Sequence, residues 1–123
     1  MAKFINDLVM DAAFTYIKDG NTIISVCGTQ PTDQAEATAV THSLGTLAYT
    51  TANFTLDDGD ESGRKVTCAA ATIPVLASGT VNHIAFCNTG TLFAVGTCAP
   101  TAVTSGGTII TAGFDLDEIR DPA

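Results

Sequence analysis

The sequence predicts a mainly β protein: an antiparallel β-sandwich, jelly-roll-like, with one N-terminal α-helix. Three observations carry this. Helical apolar periodicity is confined to residues 3–18. From Asn21 onward, apolar residues come in short runs separated by Gly, Asn, Asp and Ser turn signals. Thr occupies about twenty positions and Trp none, a β-branched bias that suits strands. A parallel α/β arrangement is disfavoured, because each parallel crossover needs roughly a dozen residues or more and only one helix is available.

The helix, residues 3–18, runs towards Gly20, a residue suited to a left-handed stop. At about 100° per residue, Phe4, Ile5, Leu8, Val9, Ala12 and Tyr16 share a broad arc predicted to pack on the domain. Met10, Phe14 and Ile17 form a second apolar group on the opposite side, beside Lys3, Asp7 and Asp11. They are either buried by their own domain or the candidate contact with another subunit or a larger shell.

Strands are predicted at 22–27, 47–56, 64–72, 73–77, 80–87, 91–98 and 108–116, within a β region spanning 22–116. The polar stretch 28–46 reads as a long surface connection with one short strand near Ala37 to Thr41. Asn88-Thr89-Gly90 marks a hairpin. Pairing 88 with 91 sets Cys87 opposite Leu92 and Val81 opposite Cys98, so the two cysteines do not bridge. Residues 117–123 read as an exposed tail.

At 123 residues and 12.6 kDa the chain suits one domain, 1–123. With 46% hydrophobic and 15% charged residues, it lies outside the compositional range of disordered chains. No apolar run approaches the roughly 18 residues of a spanning helix, so no membrane partner is expected. Asn6, Asp7 and Asp11 interrupt any signal-peptide core, which predicts synthesis in the cytoplasm without export. A net charge of −8 argues against nucleic-acid binding, which needs clustered Lys and Arg.

Candidate chemistry is sparse. Asp57, Asp58, Asp60 and Glu61 gather four carboxylates beside Gly59 but lack the full spacing of a calcium loop, so they read as a solvated turn offset by Arg64 and Lys65. Cys27, Cys68, Cys87 and Cys98 have no metal or redox spacing and are predicted to stay reduced as small buried hydrophobes. His83, mid-strand, reads as a hydrogen-bonded structural histidine; a dyad with Cys68 or Cys87 has no positive support from spacing, and His42 lies in no motif. No catalytic, cofactor-binding or metal residue is assigned, and a non-enzymatic role is expected.

Three segments, MAKFINDLVMDAAFTYIKDG, FTLDDGDESGRKVTCAA and GTVNHIAFCNTGTLFAVGTC running on to ITAGFDLDEIRDP, resemble a family of small tailed-bacteriophage virion proteins described as head decoration or cement proteins. The resemblance covers most of the chain. It implies a multimeric, trimeric sandwich that binds the outer surface of the assembled capsid and stabilises it, with the major capsid protein and itself as partners and no catalytic residues. The four cysteines depart from the apolar residues expected at those strand positions. A tail-tube or tail-tip protein and a small calcium-dependent carbohydrate-binding module centred on Asp57 to Glu61 are the alternatives.

Overall fold

Residues 5–120 are described by a computed structural model, which is mainly β, its antiparallel sheets consistent with a β-sandwich and accompanied by one long N-terminal helix. Helix α1 spans Asp7–Gly20. Its N-terminus is capped by Asn6, whose side-chain oxygen accepts from the Leu8 N–H at 2.8 Å. The expected left-handed stop at Gly20 does not form: Gly20 is the last helical residue and has no positive φ. Asn21 ends the helix by turning extended, its amide donating to the Tyr49 carbonyl at 2.7 Å. The glycine serves close packing instead, since a Cβ there would lie 2.7 Å from the Phe93 ring. Lys3 and Phe4, part of the predicted helix, lie outside the described residues.

Among the described residues nine strands follow: β1 Ile23–Cys27, β2 Ser43–Ala48, β3 Phe54–Asp58, β4 Arg64–Cys68, β5 Ala71–Pro74, β6 Gly79–Cys87, β7 Leu92–Val103, β8 Thr108–Thr111 and β9 Phe114–Ile119. They form sheets ordered β2-β1-β6-β7, β3-β4-β9 and β5-β8, every pairing antiparallel. The inner face of the four-stranded sheet contributes Ile24, Val26, Val81 and Phe86. These pack on Tyr49, Phe54, Val66 and Ile73 in one buried cluster. Tyr49 and Phe54 meet edge-to-face at 5.1 Å, a favoured aromatic geometry.

Several boundaries differ from expectation. The strand predicted near Ala37 to Thr41 is instead a one-turn helix, α2 (Gln34–Thr38). Asp33 caps it, accepting from the Glu36 N–H at 2.8 Å, and competes successfully against a weak strand signal. Ala37 closes a second small core with Cys27, Ala85 and Cys87 on the outer face of the four-stranded sheet. The run 47–56 is broken by a 3-10 turn, Thr51–Asn53, which hands the chain from β2 to β3 in another sheet. The run 108–116 splits likewise between β8 and β9. Part of the predicted tail, through Ile119, is strand, because β9 pairs along β4 as far as Arg64↔Ile119. Residues 121–123 lie outside the described residues.

The β6–β7 hairpin places Cys87 opposite Leu92 as predicted, but not Val81 opposite Cys98: Val81 faces Thr101. Two register shifts along the hairpin account for the change. All four cysteines are free.

Helix α1 is turned over relative to the wider apolar arc. Met10 and Phe14 are 1% and 2% exposed, whereas Leu8, Val9 and Tyr16 are 76%, 64% and 67% exposed. The charges beside the narrower stripe decide the face. Asp11 reaches Arg64 on β4 at 2.9 Å, and Lys18 donates to Thr51 at 2.8 Å. What reads as a polar, solvent-facing border is a pair of tethers, seven residues apart, along one edge of the buried Met10 and Phe14 stripe. The candidate contact at Met10, Phe14 and Ile17 is thereby corrected: two of the three are core, and Ile17 is partly buried against it.

Candidate functional site

The acidic corner lies where β3 turns into β4 and β9 returns alongside. Gly63, at φ +72°, closes the turn, and the Gly59 N–H donates to the Gly63 carbonyl at 2.9 Å. Arg64 contacts Asp58 at 2.8 Å as well as Asp11. Lys65 bridges Asp60 at 2.8 Å and Asp115 at 3.3 Å, and Arg120 reaches Glu61 at 3.1 Å and also Glu118. Asp58, Asp60 and Glu61 are thus each engaged by a cation of the same corner, while Asp57 accepts from the Asp58 N–H. Hydrogen bonding and the charge of Lys65 hold the Asp60 carboxyl below its usual range. Glu118 is lowered first by the Asp60 N–H it accepts and then by Arg120. Among the described residues no group of three or more His, Cys, Asp or Glu side chains has a metal-holding arrangement.

The cysteines are divided between two layers. Cys68 lies in the main core, whereas Cys27 and Cys87 lie in the second core, and Cys27 stands opposite His83 in the β1–β6 register. The contemplated pairing of His83 with Cys68 is therefore not assembled. Burial raises all four thiols, Cys68 to about 12, opposite to the shift that activates a nucleophilic cysteine. His83 sits mid-strand as expected, but the hydrogen bond expected of it is not formed at its buried Nδ1, which has no partner among the described residues; the positions opposite it are Cys27 and Thr97. His42 sits on the surface connection, with Nε2 3.3 Å from Glu36 and Nδ1 2.9 Å from the Thr41 hydroxyl.

The surface most apt to meet another molecule is the outer side of α1. Leu8, Val9, Ala12, Ala13 and Tyr16 are exposed along it, and Tyr16 meets Phe93 of β7 edge-to-face at 5.5 Å. Asp7 and Asp19 stand at its two ends. The cations described, Lys18, Arg64, Lys65 and Arg120, are all engaged within the molecule. The strip is thus apolar, with an acidic border. Its residues were legible as an apolar arc but assigned to the wrong side, because the flanking Asp11 and Lys18 carried no sign of their partners. No helix among the described residues is long and apolar enough to cross a membrane.

Comparison with protein-family models, with curated proteins and with solved structures finds no match for this chain.

Proposed function

We propose that this protein is a bacteriophage virion structural protein that binds the outer surface of the assembled capsid and stabilises it, without catalysis. The observation that carries the reading is the solvent-facing apolar strip of α1, Leu8, Val9, Ala12, Ala13 and Tyr16, on a helix already anchored through Met10 and Phe14. A domain that spends one helix face on its own core and leaves the other apolar is suited to burying that face against a second protein. The likeness of the three sequence segments to head decoration proteins supplies the partner, the major capsid protein. The acidic border adds a requirement: the receiving surface is apolar with Lys or Arg around it. A closed homotrimer at three-fold positions follows from the symmetry of such shells, and the charge of −8 suits an outward position away from packaged DNA.

The test is to mix purified protein with capsids stripped of it and image the product. Density on the outer shell at three-fold positions is the expected result; capsids that remain bare at saturating protein refute the reading. A Leu8→Asp/Tyr16→Asp variant, folded by circular dichroism, should leave the shell bare. If it decorates at wild-type occupancy, the interface lies elsewhere on the domain.

A further inference from the structure

Strands β7 and β8 are joined by only Thr104–Gly107 and do not pair. Consecutive antiparallel strands with so short a connection ordinarily zip into a hairpin. Here each is committed elsewhere. Strand β8 pairs with β5 through Ala71↔Thr111 to Pro74↔Thr108. The connecting turn continues this ladder just past the end of β5, the Val75 N–H donating to the Gly107 carbonyl and the Gly106 N–H donating to the Val75 carbonyl, both at 2.9 Å. Among the described residues strand β7 pairs only with β6, and its register jumps from His83↔Thr97 to Val81↔Thr101, so Cys98, Ala99 and Pro100 bulge opposite Asn82. The hairpin is therefore splayed, and the wedge between its arms is a cavity of about 390 Å³.

Two properties of this wedge specify an occupant. Its sides are consecutive residues, 96–99 of β7 and 109–112 on the β8 side. Because side chains alternate between faces along a strand, such runs mean that strand edges, not one face, border the space. Among the described residues each strand has a ladder partner on one edge only, so both present unpaired backbone groups to the wedge. Its floor is apolar, with Val81, Ile84, Phe86 and Phe114, and among the described residues no Asp, Glu, Lys or Arg lines it. In a chain of net charge −8 this is a neutral site, and a charged side chain entering it would lose hydration without gaining a counter-ion. A compact apolar ligand would fill the floor and leave both edges unpaired.

We propose that the β7–β8 wedge receives an extended, uncharged segment of a partner protein, whose backbone pairs with both open edges while alternate apolar side chains enter the cavity. Pro100 has no N–H to offer, so pairing with β7 ends there, and β8 supplies four residues of edge; the inserted stretch is correspondingly short. The inference rests on this geometry alone and is independent of the role of helix α1.

The probe is a capped peptide of alternating threonine and valine added to the full-length protein, with amide deuterium uptake and the alkylation rate of Cys98 as readouts. Cys98 lines the wedge, and the other three cysteines are buried. At about ten times the peptide's Kd, uptake along both β7 and β8 and the alkylation of Cys98 should slow about tenfold. A backbone N-methylated version of the peptide should have no effect. Gly96→Leu, whose Cβ meets nothing within 4 Å, should fill the space and abolish the response while keeping the fold. Three results overturn the proposal. One is unchanged uptake in both strands at millimolar peptide. Another is equal protection by the N-methylated peptide, which would mark a merely apolar pocket. The third is concentration-dependent protection of β7 and β8 in the protein alone, accompanied by dimers, which would make the occupant a second copy.

Discussion

The Arg64 guanidinium on β4 holds Asp11 of helix α1 at 2.9 Å, and this contact ties the choice of helix face to the sheet that the helix covers. Asp11→Asn is expected to lower the melting temperature. The deficit should be largest at low ionic strength and shrink in molar salt, because the pair is partly exposed and screened. Removing one carboxylate from a chain of net charge −8 acts in the opposite sense by relieving repulsion. Asp57→Asn makes the same charge change without breaking an ion pair and supplies the baseline. Thermal melts of both variants at low and high salt check the assignment; if Asp11→Asn melts no lower than Asp57→Asn, the contact does not anchor the helix.

The two sides of α1 should respond oppositely to truncation. Phe14 is buried in the main core, so Phe14→Ala is expected to cost about 3–5 kcal/mol in urea denaturation, from lost burial and the cavity left behind. Val9 faces solvent, and Val9→Ser should stay within about 0.5 kcal/mol of wild type. Equal costs at the two positions would mean that the helix packs in solution through the face described as exposed.

What the sequence disclosed and what it hid divide along the range of the interactions involved. The strands predicted at 22–27 and 80–87 are set by local β-branched runs with turn residues at their ends, and they appear there as Ile23–Cys27 and Gly79–Cys87, whereas the run predicted at 64–72 stops at Cys68 and its last two residues open β5 in another sheet. The hairpin start is equally local, since Asn88 Oδ1 accepts from the Gly90 and Thr91 N–H groups at 2.8 Å and fixes Cys87 opposite Leu92. Its later register was not legible, because nothing in the local turn signal specifies the register shifts further along the hairpin, where Cys98 to Pro100 bulge opposite Asn82. The helix face was hidden for the same reason: Arg64 is 53 residues from Asp11, and periodicity carries no information about that partner. At the acidic corner the neutralising role of Arg64 and Lys65 was visible from proximity, but that of Arg120 required β9 to pair with β4.

Alkaline pH should destabilise the fold through its buried thiols and Tyr49. Burial pushes the Cys68 thiol up to about 12 from an ordinary 9.0 and raises Cys27 and Cys87. Tyr49 is raised likewise, chiefly by burial, and its hydroxyl donates to the Ala69 carbonyl at 2.6 Å. The folded state therefore keeps these protons after the unfolded chain has released them. Their contribution is fully present below about pH 9 and is lost as pH rises towards the folded values. Urea midpoints measured from neutral to alkaline pH should fall beyond that point, and Cys68→Ala should flatten the decline. At neutral pH iodoacetamide should modify Cys98, the one partly exposed thiol, ahead of the other three. Modification of Cys68 first would contradict its place in the core.

Two glycines with positive φ separate backbone strain from steric clash. Gly106, at φ +88°, lies in the β7–β8 turn, and a Cβ there would meet nothing within 4 Å. Gly106→Ala should therefore cost only the left-handed backbone penalty, about 1–2 kcal/mol. Gly63, at φ +72°, carries the same penalty and a collision as well, since its Cβ would fall 1.8 Å from the Ile119 carbonyl oxygen. That oxygen belongs to the last residue of β9, opposite Arg64, so relief requires the β4–β9 pair to part at the acidic corner. Gly63→Ala should be the more destabilising of the two in urea denaturation. It should also increase deuterium uptake at residues 117–119, which Gly106→Ala should leave unchanged. If the order is reversed, β9 does not return against the β3–β4 turn as described.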